Sequence, residues 1–102
     1  MNKEEEYETL RQELQVNTAQ KQNLQLQYNE LKRTIEEVEK TPEGEELYEL
    51  AGQILLKKDR KSILEGLKDK ADILEFRLKS LDKTLAKDTE RLQALQKELN
   101  ES

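Results

Sequence analysis

The densest apolar stretch of this chain is LYELAGQILLK, residues 47–57. A β-hairpin that turns at Gly52–Gln53 is one interpretation, because a type II′ turn prefers glycine in its first central position. It would pair Ala51 with Ile54 and Leu50 with Leu55. A short third helix is the other interpretation, since Leu47, Leu50, Ala51 and Ile54 also recur at helical spacing. Periodicity alone does not separate strand from helix in so short a run.

If the hairpin forms, both of its faces are apolar. One face would carry Leu47, Ala51, Ile54 and Leu56, and the other Tyr48, Leu50 and Leu55. An isolated two-stranded hairpin is marginally stable in water. We therefore expect the hairpin to seek partner strands from other chains.

The residues that flank this stretch predict where helices end and begin. Pro42 lacks a backbone donor and disfavours helix at Thr41, so the run Thr41 to Gly44 ends a first helix near Lys40. Asp59 is a candidate N-cap for a second helix, and Ser62 with Glu65 is a competing capping box. We predict one domain, residues 1–102, with a helix at about 4–40, the hairpin or short third helix at about 46–58 and a helix at about 59–100.

Heptad stripes fill both helical halves, with steps of three and four that keep a seam on one side of a supercoiled helix. The first stripe is Tyr7, Leu10, Leu14, Asn17, Lys21, Leu24, Tyr28, Leu31, Ile35 and Val38. The second is Leu64, Leu67, Ala71, Leu74, Leu78, Leu81, Leu85, Asp88, Leu92, Leu95 and Leu99. The predicted fold class is mainly α, a long antiparallel coiled-coil helical hairpin, which under the hairpin interpretation has a short central β-hairpin.

Charged residues interrupt each stripe and suggest a register. Pairing Lys21 with Asp88 would satisfy both charges in one layer of the seam, and it would centre the helical hairpin between Ile54 and Leu55, close to the proposed turn. A shift of half a heptad, with Asn17 nearest Asp88, is the alternative.

Composition excludes several classes of function. The 102 residues include neither Cys nor His, so we expect no disulfide, no metal site and no cofactor. A net charge of -5, with Lys and Glu interspersed, argues against nucleic-acid binding. Neither a signal peptide nor an apolar run of membrane-spanning length is visible, so we expect a cytoplasmic protein without membrane contact. A two-helix rod offers no concave pocket for catalysis, so we expect no catalytic residues.

Five helical segments and one hairpin pattern together resemble a known family. In the first helix these are QKQ (20–22), LQLQYNE (24–30) and IEEVE (35–39), and in the second LEFRL (74–78) and LQAL (92–95). Between them, Tyr48, Gly52 and Leu55 match a Tyr-x-x-x-Gly-x-x-Leu hairpin pattern. The order and spacing resemble a β-class subunit of prefoldin.

That resemblance implies that the central segment is a β-hairpin and that hairpins from six chains form a double β-barrel hub. The hexamer would hold two α-class and four β-class subunits. The implied oligomerisation residues are Leu47, Tyr48, Leu50, Ala51, Gly52, Ile54, Leu55 and Leu56. The implied activity is ATP-independent capture of unfolded polypeptides at the coiled-coil tips, followed by delivery to a group II chaperonin.

An antiparallel helix pair brings the two termini of the chain together at the tip. The apolar candidates for client binding there are Tyr7, Leu10, Leu95 and Leu99. The alternative is that these residues are only the last layers of the seam. A different function also stays open at this point, namely a coiled-coil scaffold or adaptor that binds folded partners along its outer face.

Overall fold

Two long helices flank a β-hairpin in the structure, a computed structural model that describes residues 2–101. The elements in chain order are α1 (Lys3–Lys40), β1 (Leu47–Ala51), β2 (Ile54–Lys58) and α2 (Arg60–Glu101). The mainly α fold class, with a hairpin between two helices, is confirmed. Among the described residues no helix is long and apolar enough to cross a membrane.

Both ends of α1 are set by local side chains. At the start, the Asn2 side chain accepts a 2.8 Å hydrogen bond from the Glu5 amide and donates one of 3.1 Å to the Glu5 carboxylate. At the end, Pro42 stops the helix after Lys40. The Glu45 amide then donates to the Pro42 carbonyl at 3.3 Å, and Gly44 adopts a φ of 87°. This positive φ is the conformation that a type II turn requires of its third residue.

The hairpin has the predicted register. Leu50 lies opposite Leu55, and Ala51 lies opposite Ile54. Gly52 adopts a φ of 64°, and Gln53 has no positive φ, which fits the predicted type II′ turn. The strand interpretation of residues 47–57 is therefore the right one, and the short third helix is wrong.

Asp59 caps α2, as one of the two alternatives predicted. The Ser62 amide donates to the Asp59 carboxylate at 3.2 Å, and the Ile63 amide donates to the Asp59 carbonyl at 3.2 Å. Hydrogen bonds from the Ser62 side chain and then from its backbone hold the pKa of the Asp59 carboxyl below its usual range. The competing capping box does not start the helix, since α2 begins at Arg60.

The chain divides into two compact units, of which one is the segment Leu26–Glu75. Within it the end of α1 lies beside the start of α2, and the two segments run antiparallel. The Arg60 guanidinium donates to the Thr41 carbonyl at 2.9 Å and also to the Glu39 carbonyl, while Lys68 lies 3.9 Å from the Glu39 carboxylate. Ile35 and Ala71 are its buried apolar residues.

The other unit combines the chain up to Gln25 with the chain from Phe76 onward. Its two helical segments also run antiparallel, as the ion pairs between them show. These are Lys3 with Glu98 at 3.4 Å, Glu6 with Arg91 at 3.0 Å, and Lys21 with Asp82 at 2.6 Å. Its buried apolar residues are Leu24, Leu78 and Leu95.

The predicted register pair is wrong. Lys21 pairs with Asp82 rather than Asp88. The Asp88 Oδ2 atom is buried and has no hydrogen-bond partner among the described residues, Asn17 included. The physical reason is that the connections on the two sides of the hairpin differ in length. Residues 41–46 join α1 to β1, whereas Asp59 alone joins β2 to α2, so the helices do not share the hairpin's centre.

Candidate assembly surface and client-binding end

Most apolar residues of the hairpin face solvent. Leu50, Ile54 and Leu55 are 68%, 64% and 65% exposed, and every residue of β2 is exposed. We call the eight predicted oligomerisation residues the hairpin surface. All eight lie in β1, in β2 or in the turn between them, so the structure brings them together on the two faces and the turn of one hairpin.

The two faces of the hairpin differ in burial. Leu47 and Glu49 point to one face and are half-buried, and the Glu49 carboxylate pairs with Lys58 there. Hydrogen bonding to Lys58 lowers the pKa of Glu49, and the charge of Lys70 adds to this effect. The opposite face, which we call the Tyr48 face, carries Tyr48, Leu50 and Leu55, all of them exposed. On the Leu47 face, Ala51, Ile54 and Leu56 are exposed as well, so both faces carry uncovered apolar residues.

The edges of the sheet are uncovered as well. Within residues 2–101 the sheet contains only β1 and β2, so each strand has one side without a strand partner. Exposed edge strands carry free N–H and C=O groups that accept a further strand readily. An apolar face next to open edges is suited to association with β-strands of other chains.

A polar network that the apolar pattern does not predict holds one end of the Tyr48 face. The Tyr48 hydroxyl donates to the Glu46 carboxylate at 2.8 Å, and the Lys57 ammonium donates to the same carboxylate at 3.2 Å. The hydrogen bond from Tyr48, and after it the bond from Lys57, lowers the pKa of the Glu46 carboxyl. The bond between Tyr48 and Glu46 also raises the pKa of the Tyr48 hydroxyl. The sequence could have indicated this network, because residues 46 and 48 are two apart in an extended chain and point to the same face, and the predicted hairpin places Lys57 opposite Tyr48.

The four residues predicted to bind clients at the tip are buried or half-buried in the structure. We call Tyr7, Leu10, Leu95 and Leu99 the helix-end cluster. Leu95 has an exposed fraction of 0%, and the other three are half-buried. In this closed arrangement Leu95 cannot contact another molecule. Their role in client binding stays a prediction.

Ion pairs surround the helix-end cluster. The Arg91 guanidinium donates to both oxygens of Glu6, at 3.0 and 3.3 Å, and Lys3 pairs with Glu98. The hydrogen bonds from Arg91 to Glu6 raise the pKa of the Arg91 guanidinium. The heptad stripes did not predict these pairs, because the pairs depend on a register that was placed wrongly.

Apolar side chains are also exposed at scattered positions on the helices. Phe76 and Leu26 fall at outward heptad positions and are 74% and 68% exposed, and Val16 and Ile73 are exposed too. Scattered exposed apolar residues are common on protein surfaces. They lack the strand edges that distinguish the hairpin surface.

Comparisons with known proteins agree with this geometry. The sequence model described as "Prefoldin subunit" matches residues 1–102. Prefoldin subunit beta of Thermococcus onnurineus is 40% identical over 88 residues, which cover 86% of this chain and 76% of that protein. Prefoldin subunit beta of Methanothrix thermoacetophila is 34% identical over 97 residues, or 91% and 78% of the two chains. The crystal structure of the prefoldin beta subunit from Thermococcus strain KS-1 superposes with a TM-score of 0.92 at 29% identity, covering 97% of this chain and 87% of that one.

Proposed function

Because the chain belongs to the prefoldin β-subunit family, we propose that it captures unfolded polypeptides without ATP and delivers them to a group II chaperonin. Membership implies a chaperone role within a prefoldin complex, and the family is not enzymatic. We further propose that this complex consists of two α-class and four β-class subunits in the cytoplasm.

The observation that carries the proposal is the exposure of the hairpin surface. Burying an apolar side chain such as Leu50 or Leu55 is worth roughly 1.5–3 kcal/mol, and neither is covered within the chain. Strand addition along both edges of the hairpin would cover these residues and satisfy the free backbone groups at the same time. Association of hairpins into a common hub is therefore favourable on both counts.

Client capture is assigned to the unit that holds both ends of the chain. The helix-end cluster contains described apolar residues near both termini, and its half-buried members Tyr7, Leu10 and Leu99 are already partly accessible. Capture of this kind needs no nucleotide, since apolar burial supplies the favourable free energy. The chemistry of the site is therefore that of binding rather than of catalysis.

The test begins with native mass spectrometry of the chain alone and after mixing with an α-class prefoldin subunit from the same source. We expect a hexamer of two α-class and four β-class chains in the mixture. This complex should then suppress the aggregation of a chemically unfolded protein, followed by light scattering without ATP. A control mixture lacks the α-class subunit.

Two results would contradict the proposal. A dimer or tetramer that ignores the α-class subunit would favour a coiled-coil scaffold that binds folded partners. A hexamer that forms but does not lower light scattering would place the chain in a prefoldin-like complex without the capture activity. Delivery is tested separately, by transfer of labelled client from the hexamer to a group II chaperonin on a sizing column.

A further inference from the structure

The closed state of the helix ends is difficult to reconcile with capture through the helix-end cluster. Leu95 is the most deeply buried side chain of the described chain, with an exposed fraction of 0%. An apolar segment of a client could therefore contact Leu95 only after α1 and α2 separate at their ends. What holds these ends together determines how readily the cluster becomes available.

Two ion pairs bridge the helices at this end, and we call them the end clasp. The first joins Glu6 to Arg91 through two hydrogen bonds, at 3.0 and 3.3 Å. The second joins Lys3 to Glu98 at 3.4 Å. Each pair has one partner on α1 and one on α2, so both pairs must break when the ends separate. A guanidinium that donates to both oxygens of a carboxylate also fixes the orientation of the two side chains relative to each other.

The inner limit of this region is a weak layer of the seam. The Oδ2 atom of Asp88 is buried without a hydrogen-bond partner among the described residues, an arrangement that costs stability. Farther from the ends, Lys21 pairs with Asp82 at 2.6 Å and strengthens the helix pair again. The segment from Asp88 outward can thus separate without disturbing the Lys21 layer.

We propose that the end clasp regulates client capture by holding the helix-end cluster closed, and that clients bind an opened state in which both pairs are broken. This inference rests on the proposed function of the chain and adds a regulatory contact to it. The side chains of Glu6 and Arg91 are 39% and 48% exposed, so solvent screens their attraction. Exposed pairs contribute little stability, and the opened state is therefore within reach at ordinary temperatures.

The charges of the clasp also specify which clients open it most easily. A client segment with basic residues can replace Arg91 as the partner of Glu6, and a segment with acidic residues can replace Glu6 as the partner of Arg91. Either exchange keeps a charge pair while it releases the helices. Charged residues next to an apolar run are accordingly the client chemistry that the closed end favours.

Charge reversal tests the proposal in the assembled complex. Arg91→Glu places two carboxylates at the clasp, whereas Glu6→Arg combined with Arg91→Glu restores the pair with its charges exchanged. Lys83→Glu is the matched control, because it makes the same change of charge two turns away at an exposed position, out of reach of Arg91. Two quantities are measured for each complex: amide hydrogen exchange over residues 92–99, and suppression of client aggregation at limiting chaperone concentration.

We expect Arg91→Glu to speed exchange in residues 92–99 by roughly threefold or more, since a lost attraction is replaced by a repulsion of similar size. Suppression of aggregation should rise in parallel. The double variant should return both quantities to those of the unaltered complex, and Lys83→Glu should change neither.

The outcomes separate this inference from the proposed function. Unchanged exchange in Arg91→Glu overturns the clasp. Faster exchange without a change in suppression, in a complex whose unaltered form does suppress aggregation, overturns the link to capture and leaves the proposed function standing. An unaltered complex that suppresses nothing overturns the proposed function, and the regulatory inference falls with it.

Discussion

The guanidinium of Arg60, the first residue of α2, donates a 2.9 Å hydrogen bond to the backbone carbonyl of Thr41, just beyond the end of α1. The same guanidinium also donates to the Glu39 carbonyl. The last carbonyls of an α-helix have no partners within the helix and need donors from elsewhere. Here the beginning of the second helix supplies them for the first, and a cation lies favourably at the negative end of the helix dipole.

Replacing Arg60 with alanine should therefore destabilise the protein more than an ordinary surface change. Hydrogen bonds from a charged donor contribute about 1.5–3 kcal/mol each, so we expect Arg60→Ala to lower the free energy of unfolding by about 2 kcal/mol. Thermal unfolding followed by circular dichroism measures the effect. Lys61→Ala removes the same charge at the next, exposed position and is the control. Equal melting temperatures for the two variants would contradict the capping role.

The hairpin surface gives a prediction about assembly. Leu50→Asp should abolish the higher oligomer and leave the chain helical, because an unpaired carboxylate buried in a hub is costly. Leu26→Asp is a matched control, since Leu26 and Leu50 are both 68% exposed but Leu26 lies on α1. Native mass spectrometry should find the oligomer in Leu26→Asp and not in Leu50→Asp. If both variants assemble, the hairpin is not the hub.

A double-mutant cycle checks the ion pair between Lys21 and Asp82. Both side chains are partly exposed, so we expect a coupling free energy of only about 0.2–1 kcal/mol from Lys21→Ala, Asp82→Ala and the double variant. The parallel cycle of Lys21 with Asp88 should be additive. Thermal melts of the six proteins decide the register, and coupling in the second cycle instead of the first would restore the pair predicted from the sequence.

Asp88 should be replaceable with a gain in stability. Its buried Oδ2 has no hydrogen-bond partner among the described residues, and its neighbours in the seam are leucines. Removing an unsatisfied buried acceptor relieves a cost of about 1–3 kcal/mol, so Asp88→Leu should raise the melting temperature by several degrees. The control is Asp82→Leu, which removes an exposed carboxylate that has a partner and should lower the melting temperature slightly. A lower melting temperature for Asp88→Leu would mean that the buried carboxylate is satisfied in solution.

The hairpin should lose stability in acid. Its contacts hold the pKa of Glu46 and of Glu49 below the ordinary value of 4.5. The unfolded chain therefore takes up these protons at a higher pH than the folded chain does. The stabilisation is complete above about pH 4.5 and is lost as the pH falls through the lower, folded-state pKa values. Melting temperatures recorded from about pH 7 to about pH 3 should fall less steeply in the Glu46→Gln variant than in the unaltered chain.

Signals from single residues predicted the order of the helices and strands, but they did not predict the register of α1 against α2. Pro42, Gly52 and Asp59 each act on the few residues beside them, so the helix ends and the turn could be placed from the sequence. The register of α1 against α2 depends instead on the lengths of both connections. The predicted bounds already placed residues 41–45 between the first helix and the hairpin and none between the hairpin and the second helix, but the register was placed by pairing the charges of Lys21 and Asp88.

The candidate site was predictable to a different extent at each of its two parts. The spacing of the apolar residues left the hairpin and a short helix both open, and the resemblance to prefoldin β-class subunits selected the hairpin and its oligomerisation residues. The burial of Leu95 was not predicted, since a heptad stripe shows which residues face the partner helix without showing how fully the ends close. The contacts of Arg60 and Arg91 also escaped prediction, because a long flexible side chain can reach partners in many directions.

Asp59 is the single residue between β2 and α2. The direction in which β2 ends therefore determines which face of α2 points toward α1. Each residue added to a helix turns it by about 100°, so one residue inserted between Lys58 and Arg60 would swing Leu64, Leu67 and Ala71 away from α1. The same insertion within residues 41–46 would lengthen a loop at little cost. A tag or a reporter domain placed in this chain thus belongs on the α1 side of the hairpin, where added length leaves the helical phase intact.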